Sequence, residues 1–214
     1  MALSPLTMVL AACVLVSAAL AAWSEVKERR RLHLLTKPLA TGLIIAVAAL
    51  AAVPAPSEYK TFVLAGLVFS LLGDVALMFP DKWFTAGLVA FLAAQVLYIL
   101  AFKPRPGQPL SAMTFLPYVF FGLLMFFLLA PKLGPMKVPV FVYIAAITTM
   151  AAFAAGRFVN AGGTRTLLAF LGAVLFLVSD SVLAYDRFAR KMPGARAVIL
   201  ATYFPAQLLI ALSV

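Results

Sequence analysis

Two aspartates, Asp74 and Asp180, stand well inside apolar segments of this chain, whereas the other charged residues lie between such segments or at their ends. A carboxylate in a hydrocarbon environment is rarely retained without a partner, a water-filled cavity or a function. Two carboxyls in one desolvated site can act as acid and base, because burial and like charge keep one of them protonated. Asp74 and Asp180 are therefore the candidate catalytic residues, and the alternative is a structural role for each within a helix bundle.

The two aspartates are predicted to share a depth. Each is the fourteenth residue of its apolar segment, counted from Thr61 and from Leu167. If both segments are helices that run in the same direction, each aspartate lies about 9 Å from the same end of its helix. Side chains at this level on antiparallel helices would then surround a pair of carboxyl groups.

Seven further side chains are candidates for substrate binding near this pair: Lys37, Gln95, Tyr98, Tyr143, Ser179, Tyr203 and Gln207. Lys37 is expected to open the second span, and Tyr143 and Tyr203 to lie near the level of the aspartates. Gln95, Tyr98 and Gln207 are expected to lie deeper. Ordinary hydrogen bonding between helices is the alternative role for Tyr143, Tyr203 and Gln207.

Other hydrolytic chemistries lack their residues. The chain has one histidine, His33, and one cysteine, Cys13, and they are far apart in the sequence, which argues against a zinc site with His or Cys ligands. The sequence has no Gly-x-Ser-x-Gly motif and no histidine inside an apolar segment, which argues against a serine hydrolase. We therefore expect no cofactor and no metal with His or Cys ligands, and the remaining alternative is a metal ion held between the two aspartates.

The composition indicates which elements must position these side chains. Of the 214 residues, 65% are hydrophobic and 11% are charged. A soluble domain usually has about 45–50% apolar residues and roughly twice this charged fraction. The composition therefore predicts a polytopic membrane protein, and no segment is long enough for a separate soluble domain, so residues 1–214 are expected to form a single integral membrane domain.

Eight apolar windows are long enough to cross a membrane as helices, for which about 20 residues are needed. Membrane barrels instead show alternating segments of about ten residues, so an all-α bundle is predicted. The connections are short and rich in Pro, Gly and charge, as at 54–57, 103–107 and 160–163. The windows are 3–23, 37–53, 61–79, 83–102, 111–130, 137–155, 167–185 and 195–212.

The positive charges predict an orientation. Twelve of the 17 Lys and Arg residues fall after spans 1, 3, 5 and 7 or beside these connections. The positive-inside rule makes those connections cytoplasmic, puts both termini outside and puts the aspartates in the cytoplasmic half of what we expect to be a bacterial inner membrane. Trp23 and Trp83 would then lie at the cytoplasmic interface. The net charge of +10 fits this topology and anionic lipid headgroups better than nucleic acid, which we do not expect as a partner.

Two local patterns concern helix packing. Gly66, Ser70 and Asp74 follow each other at intervals of four residues, which predicts that a neighbouring helix approaches closely on the Asp74 face. The segments 73–77 and 179–183 also resemble each other and lie four spans apart, which suggests a parallel repeat of four helices plus four.

The motifs together resemble the YhhN-like lysoplasmalogenases, over nearly the whole chain. The matching segments are 37–39, 72–74, 87–98, 176–181 and 203–207. The resemblance implies an integral membrane hydrolase that cleaves the vinyl ether of a lysoplasmalogen into a fatty aldehyde and glycerophosphoethanolamine or glycerophosphocholine. By motif match, Asp74 and Asp180 carry over as the catalytic acids. The candidates Lys37, Tyr143, Tyr203 and Gln207 carry over as pocket residues, and Gln95 departs from some relatives, which have His there.

The implied chemistry suits two carboxyl groups. Vinyl ether hydrolysis begins with protonation of the outer alkene carbon and gives an oxocarbenium ion, which water captures. One carboxyl must therefore supply a proton while an anion stabilises the cation and accepts a proton from water. The residues do not show which aspartate has which role. We place the alkenyl chain among spans rich in Phe and Leu, and the phosphate near Lys37, Arg30, Arg31 or the segment 187–191.

The same residues are compatible with two other functions. Paired membrane acids and a parallel repeat would also suit a proton-coupled transporter. Both aspartates lie in one half of the predicted bilayer, however, rather than along a path through it. An amidase similar to the ceramidases is a further alternative, but it would be expected to use a metal with histidine ligands, which this chain does not supply.

Overall fold

The computed structural model describes residues 4–51, 57–104, 108 and 111–214. Within these residues all the regular elements are helical, and eight helices are long and apolar enough to cross a membrane. The prediction of an all-α bundle with eight transmembrane helices is therefore confirmed. The helices are α1 (Pro5–Val26), α2 (Arg30–Leu50), α3 (Ser57–Leu77), α4 (Pro80–Phe102), α5 (Ala112–Leu129), α6 (Lys137–Ala161), α7 (Thr164–Ala184) and α8 (Ala195–Leu212).

The helix bounds depart most from the prediction in α2 and α6. Helix α2 begins at Arg30, seven residues before the predicted start at Lys37, and α6 continues six residues beyond its predicted end to Ala161. Helix α8 has the predicted bounds. Leu3, where the first span was predicted to begin, lies outside the described residues, as do 54–56 and 105–107 of two predicted connections.

Local sequence explains where several helices begin. Ser4 and Ser111 cap α1 and α5, because each hydroxyl accepts a hydrogen bond at 3.1 Å from a backbone amide of the first turn, that of Thr7 or Met113. Between α6 and α7 the chain passes through Gly162–Gly163 with φ of 60° and 87°. Glycine adopts this backbone region at little cost, so the chain can reverse within two residues.

Consecutive helices pack in pairs, α1 on α2, α3 on α4, α5 on α6 and α7 on α8. The pair α3 and α4 approach closely where α3 has glycine, as its small-residue stripe predicts. Gly66 lies against the ring of Tyr98, and a Cβ on Gly73 would lie 2.6 Å from the ring of Phe91. Asp74 therefore faces the interior of the bundle, where only 1% of its surface is exposed.

The two halves of the chain have similar neighbours. Helix α4 packs against α6, and α8 packs against α2. These contacts correspond if α1–α4 are aligned with α5–α8. The neighbour pattern agrees with a parallel arrangement of four helices plus four, and it brings α3 and α7 to equivalent positions.

Aromatic packing joins three of these helices close to the aspartates. Phe91 on α4 contacts the rings of Phe176 on α7 and Tyr203 on α8, with centroid distances of 6.1 Å and 5.8 Å. Phe176 and Tyr203 also lie 5.8 Å apart, and all three contacts are close to edge-to-face. Such contacts stabilise a defined ring geometry, so this cluster fixes the helices that present the candidate site.

Candidate active site

Asp74 lies on α3, and three side chains bind its buried carboxyl group. The Nζ atom of Lys37 is 3.3 Å from Oδ1. The hydroxyls of Thr41 and Tyr203 donate hydrogen bonds to Oδ2 at 2.6 Å and 2.8 Å. A cation and two hydroxyl donors together offset the free energy cost of burying this group.

Lys37 lies inside α2 rather than at the start of a span, which differs from the sequence prediction. Because α2 begins at Arg30, Lys37 is its eighth residue, and only 8% of Lys37 is exposed. Its Nζ is also 3.5 Å from the backbone oxygen of Asp74. The next residue, Pro38, has no amide hydrogen and interrupts the helical hydrogen bonds beside Lys37.

Asp180 lies on α7, is half-buried and has a different environment. The hydroxyl of Tyr143 and the Nε2 of Gln95 both donate to Oδ2, the latter at 3.3 Å. Among the described residues, no donor reaches Oδ1 and no cation forms an ion pair with this carboxyl group. Asp180 thus has one oxygen available to a molecule in the adjoining cavity, and Gln95 lies level with it rather than deeper.

The two aspartates receive hydrogen bonds from corresponding helices of the two halves of the chain. Asp74 on α3 receives hydrogen bonds from α2 and α8, and Asp180 on α7 receives them from α6 and α4. Each acid is therefore bound by the preceding helix and by the last helix of the other half. The difference between them is Lys37, which gives only Asp74 a cationic partner in the described part of the chain.

A second polar cluster lies one turn deeper than Asp74. The hydroxyl of Tyr98 donates to Oε1 of Gln207 at 2.8 Å, and Nε2 of Gln207 donates to the hydroxyl of Ser70 at 2.9 Å. All three side chains are fully buried. Tyr98 and Gln207 line neither of the two cavities that lie beside the aspartates. Their hydrogen bonds join α3, α4 and α8.

Ser179 precedes Asp180 on α7 and also joins two helices. Its hydroxyl donates to the backbone oxygen of Ile199 on α8 at 3.2 Å, and 1% of the residue is exposed. Ser179 borders the polar cavity beside both aspartates. Its hydrogen bond fixes α7 against α8 next to Asp180.

A polar cavity of about 400 Å³ extends from the two aspartates to the ends of α1, α2, α7 and α8. Both signs of charge line it. Three ion pairs of lysine or arginine form within this lining, Lys37 with Asp74, Lys191 with Asp186 and Arg196 with Glu25. The ionisable lining residues are Glu25, Glu28, Arg30, His33, Lys37, Asp74, Asp180, Asp186, Arg187, Lys191, Arg196 and Tyr203.

A narrower apolar cavity, of about 50 Å³, lies between α4, α5, α6 and α7. Aliphatic and aromatic side chains form most of its wall, and Tyr143 and Asp180 are among its few polar lining residues. Both cavities are lined by Leu77, Phe84, Phe91, Asp180 and Leu183. The two cavities therefore meet beside Asp180, at the boundary between charged and apolar surfaces.

Five of the seven predicted binding residues bind an aspartate or line the polar cavity. The other two, Tyr98 and Gln207, lie deeper in the bundle and bind neither aspartate. Thr41 is the ligand of Asp74 that the sequence prediction missed. It follows Lys37 by four residues and so shares its helix face, which is a signal that could have found it. No group of three His, Cys, Asp or Glu side chains in the described ranges is arranged to hold a metal ion.

Comparison with known proteins identifies the family. The family model described as the YhhN family matches residues 32–214, which include both aspartates and helices α3 to α8. The chain belongs to the YhhN family. The resemblance found in the sequence motifs is thereby confirmed. No solved structure gives a significant match.

The most informative relatives of this YhhN-family chain are mammalian. Lysoplasmalogenase TMEM86A of Bos taurus is 41% identical over 163 residues, which are 74% of this chain and 66% of that protein. Lysoplasmalogenase TMEM86B of Homo sapiens is 39% identical over 166 residues, 75% of this chain and 67% of that protein. This chain thus spans about two thirds of the length of these two relatives.

A bacterial relative covers more of its own length. The uncharacterized membrane protein YhhN of Escherichia coli O157:H7 is 28% identical over 176 residues, which are 81% of this chain and 83% of that protein. The eight apolar helices agree with this description. The YhhN-family chain is accordingly a multi-pass integral membrane protein.

Proposed function

We propose that this protein is a lysoplasmalogenase, a hydrolase that cleaves the vinyl ether of 1-alkenyl-glycerophosphoethanolamine or 1-alkenyl-glycerophosphocholine. Relatives named lysoplasmalogenases support this activity. The observation that carries the proposal is that Asp180 lies where a charged cavity meets an apolar cavity. The substrate has the same division, because its vinyl ether joins a polar glycerophosphate part to an alkyl chain.

In the first step, Asp180 acts as the general acid. Its carboxyl proton moves to the outer alkene carbon, the π electrons form the new C–H bond, and an oxocarbenium ion remains at the inner carbon. Asp180 suits this role because it has no cationic partner among the described residues and has one oxygen without a donor. Tyr143 and Gln95 hold the other oxygen and so orient the acid.

In the second step, Asp74 acts as the anion that stabilises the oxocarbenium ion and accepts a proton from the attacking water. Lys37, Thr41 and Tyr203 maintain its ionised form through one ion pair and two hydrogen bonds. Water forms a C–O bond to the cationic carbon and gives a hemiacetal. The hemiacetal hydroxyl then gives its proton to Asp180, Asp74 returns its proton to the glycerol oxygen, and cleavage of the C–O bond to glycerol yields the fatty aldehyde and the glycerophospho-alcohol.

The predicted binding residues divide into two groups under this proposal. Lys37, Tyr143 and Tyr203 border the cavities and contact both substrate and aspartates. Gln95, Tyr98, Gln207 and Ser179 act as positioning residues, because their hydrogen bonds reach an aspartate or join the helices that present it.

We also propose that residues 1–214 form one membrane domain, that its basic end faces the cytoplasm and that both termini lie outside, in a bacterial inner membrane. The basic end comprises the connections after α1, α3, α5 and α7. The chain has 17 Lys and Arg residues, and 12 of them lie in those connections or beside them, which supports this orientation. Trp23 and Trp83, each close to half exposed and beside Arg29 or Lys82, suit an interfacial level there.

The direct test is purified protein in detergent with 1-alkenyl-glycerophosphoethanolamine, with fatty aldehyde release as the measurement. The 1-alkyl ether analogue is the substrate control, because it has no alkene carbon to protonate. Asp74→Asn and Asp180→Asn should each abolish most of the aldehyde release. Glu58→Gln, a carboxylate in the first turn of α3, is the matched control and should retain it.

Well-folded Asn variants that both keep the wild-type rate would contradict the roles of the two acids. Wild-type protein that releases no aldehyde but moves protons or solutes in proteoliposomes would support the transporter instead.

A further inference from the structure

Helix α7 continues into a π-helical turn, Tyr185–Ala189, which begins two residues after Leu183, one of the residues that line both cavities. The backbone amide of Arg190 donates to the oxygen of Tyr185, five residues earlier, at 3.0 Å. Two consecutive residues of this turn line different cavities, Arg187 the polar one and Phe188 the apolar one. Single π-helical turns of this kind are frequent at functional sites.

Arg187 and Phe188 both contact Phe84 on α4, which lines the two cavities. The guanidinium carbon of Arg187 lies 4.7 Å from the centre of the Phe84 ring, and the ring of Phe188 meets Phe84 edge-on at 5.8 Å. The cationic group is thus held against an aromatic ring at the boundary between charged and apolar surfaces.

Most cations of the polar cavity already have an anionic partner. Lys37, Lys191 and Arg196 form ion pairs with Asp74, Asp186 and Glu25. Among the described residues that line this cavity, Arg30 and Arg187 are the Lys or Arg side chains without an ion pair. Of these two, only Arg187 contacts the apolar boundary through Phe84.

The distance of Arg187 from Asp180 suits the substrate. Seven residues separate them along α7 and the π-helical turn that follows it, so their Cα atoms are at most about 10 Å apart along the axis. Both residues line the polar cavity, and the Arg187 guanidinium lies on the ring of Phe84, which borders the same two cavities as Asp180. In a lysoplasmalogen, five covalent bonds join the vinyl ether oxygen to phosphorus, so the phosphate lies a few ångströms beyond the reacting carbons on the headgroup side.

Building on the proposed function, we propose that Arg187 binds the phosphodiester of the substrate and thereby selects alkenyl glycerophospholipids over alkenyl lipids without a phosphate. The planar guanidinium can form two parallel hydrogen bonds to phosphate oxygens, while the ring of Phe84 holds it at the cavity boundary. Phe188, which borders the apolar cavity, then contacts the start of the alkenyl chain.

The test compares two substrates, 1-alkenyl-glycerophosphoethanolamine and 1-alkenyl-glycerol, which differ only in the phosphoethanolamine. Arg187→Gln should lower kcat/KM for the phospholipid by about 10- to 100-fold, mainly through KM, because a charge-assisted hydrogen bond is lost. The same variant should leave kcat/KM for 1-alkenyl-glycerol unchanged. Arg187→Lys should give an intermediate loss, since lysine retains the charge but not the two-pronged geometry.

Arg190→Gln is the matched control. Arg190 belongs to the segment 187–191 that the sequence places near the phosphate, but it is exposed and lines neither cavity, so this variant should behave as wild type. An equal loss on both substrates with Arg187→Gln would indicate a structural role and overturn the proposal, as would an unchanged KM for the phospholipid.

A binding measurement separates this proposal from the proposed reaction. The uncleavable 1-alkyl-glycerophosphoethanolamine and 1-alkyl-glycerol can be titrated into purified protein in detergent by calorimetry. Arg187→Gln should weaken only the binding of the phospholipid ether. If wild-type protein binds this ether through Arg187 but cleaves no vinyl ether, the proposed hydrolysis fails while the phosphate site stands. If Arg187→Gln binds both ethers as wild type does, the phosphate site fails.

Discussion

The ammonium group of Lys37 on α2 lies 3.3 Å from Oδ1 of Asp74 on α3, with 10% and 1% of the two side chains exposed. In the ion pairs of Lys191 and Arg196, by contrast, the cationic side chain is 76% exposed. Solvent screens those pairs, whereas the Lys37 and Asp74 pair lies in the bundle. This pair links the second and third helices and gives the two candidate acids different electrostatic surroundings.

The first prediction concerns the stability of this buried pair. Lys37→Met should lower the free energy of unfolding by about 3–5 kcal/mol, because Asp74 is left as a buried carboxyl group without its cation. Adding Asp74→Asn to Lys37→Met should restore part of the loss. The measurement is unfolding of purified protein in mixed micelles, followed by circular dichroism.

Lys191→Met is the control for that series, since it removes the exposed member of an ion pair with Asp186 and should change stability little. A double variant no more stable than Lys37→Met would show that the two side chains are not energetically coupled.

The second prediction concerns the two tyrosines that donate to the aspartates. Tyr143→Phe removes one of the two donors to Asp180, and Tyr203→Phe removes one donor to Asp74. Each should lower kcat/KM for aldehyde release by about 10- to 100-fold, as expected for loss of a hydrogen bond to a charged or reacting group. Tyr118→Phe, in the groove between α5 and α6, is the control and should leave the rate unchanged. Equal rates in all three variants would exclude both phenols from the reaction.

Hydropathy predicts the eight helices well because the membrane core requires long apolar windows that satisfy their own backbone hydrogen bonds. The same rule exposes Asp74 and Asp180 as exceptions. Hydropathy predicts the start of α2 wrongly. Arg30 and Arg31 indicate an interface, but a helix can include charged residues because their long side chains reach water. Lys37 was therefore assigned to the edge of a span although it is buried.

Counting residues along a helix predicts depth but not direction around the bundle. Tyr143 and Tyr203 were found from depth, and both contact an aspartate. Depth alone does not predict Thr41, and it places Gln95 deeper than Asp180. Both differences arise because helix tilt and packing decide which side chains meet. The two cavities and the π-helical turn at Tyr185–Ala189 depend on contacts between several helices, so no single segment of sequence reveals them.

The third prediction concerns the close contact of α3 and α4. Gly73→Ala should destabilise the protein by about 1–3 kcal/mol, because the new Cβ would lie 2.6 Å from the Phe91 ring. Phe91 lines both cavities, so its displacement should also lower the rate of aldehyde release. Gly42→Ala is the matched control, with no atom within 4 Å of the added Cβ, and should be neutral or stabilising by up to about 1 kcal/mol. Similar melting temperatures for both variants would contradict this account.

The fourth prediction separates a positioning role from substrate contact at Gln207. Gln207→Leu removes one hydrogen bond from each of the buried hydroxyls of Tyr98 and Ser70 and should cost about 1–3 kcal/mol of stability. Gln207 lines neither cavity, so KM for the lysoplasmalogen should stay within about twofold of wild type. Thermal unfolding and steady-state kinetics on the same preparation provide the two readouts. A large rise in KM with unchanged stability would mean that Gln207 contacts the substrate instead.

The last prediction concerns the turn between α1 and α2, where Glu28 has φ of 54°. A residue with a Cβ pays about 1–2 kcal/mol in this left-handed region, whereas glycine does not. Glu28→Gly should therefore raise the free energy of unfolding by about 1 kcal/mol. Lys27→Gly is the matched control, since Lys27 has φ of −90° and its replacement adds only freedom to the unfolded chain, so it should lower stability. The melting temperatures of the two variants in the same detergent should shift in opposite directions. A lower melting temperature for Glu28→Gly would contradict this expectation. It would mean that the Glu28 side chain, which lines the polar cavity, stabilises the turn by more than the backbone strain destabilises it.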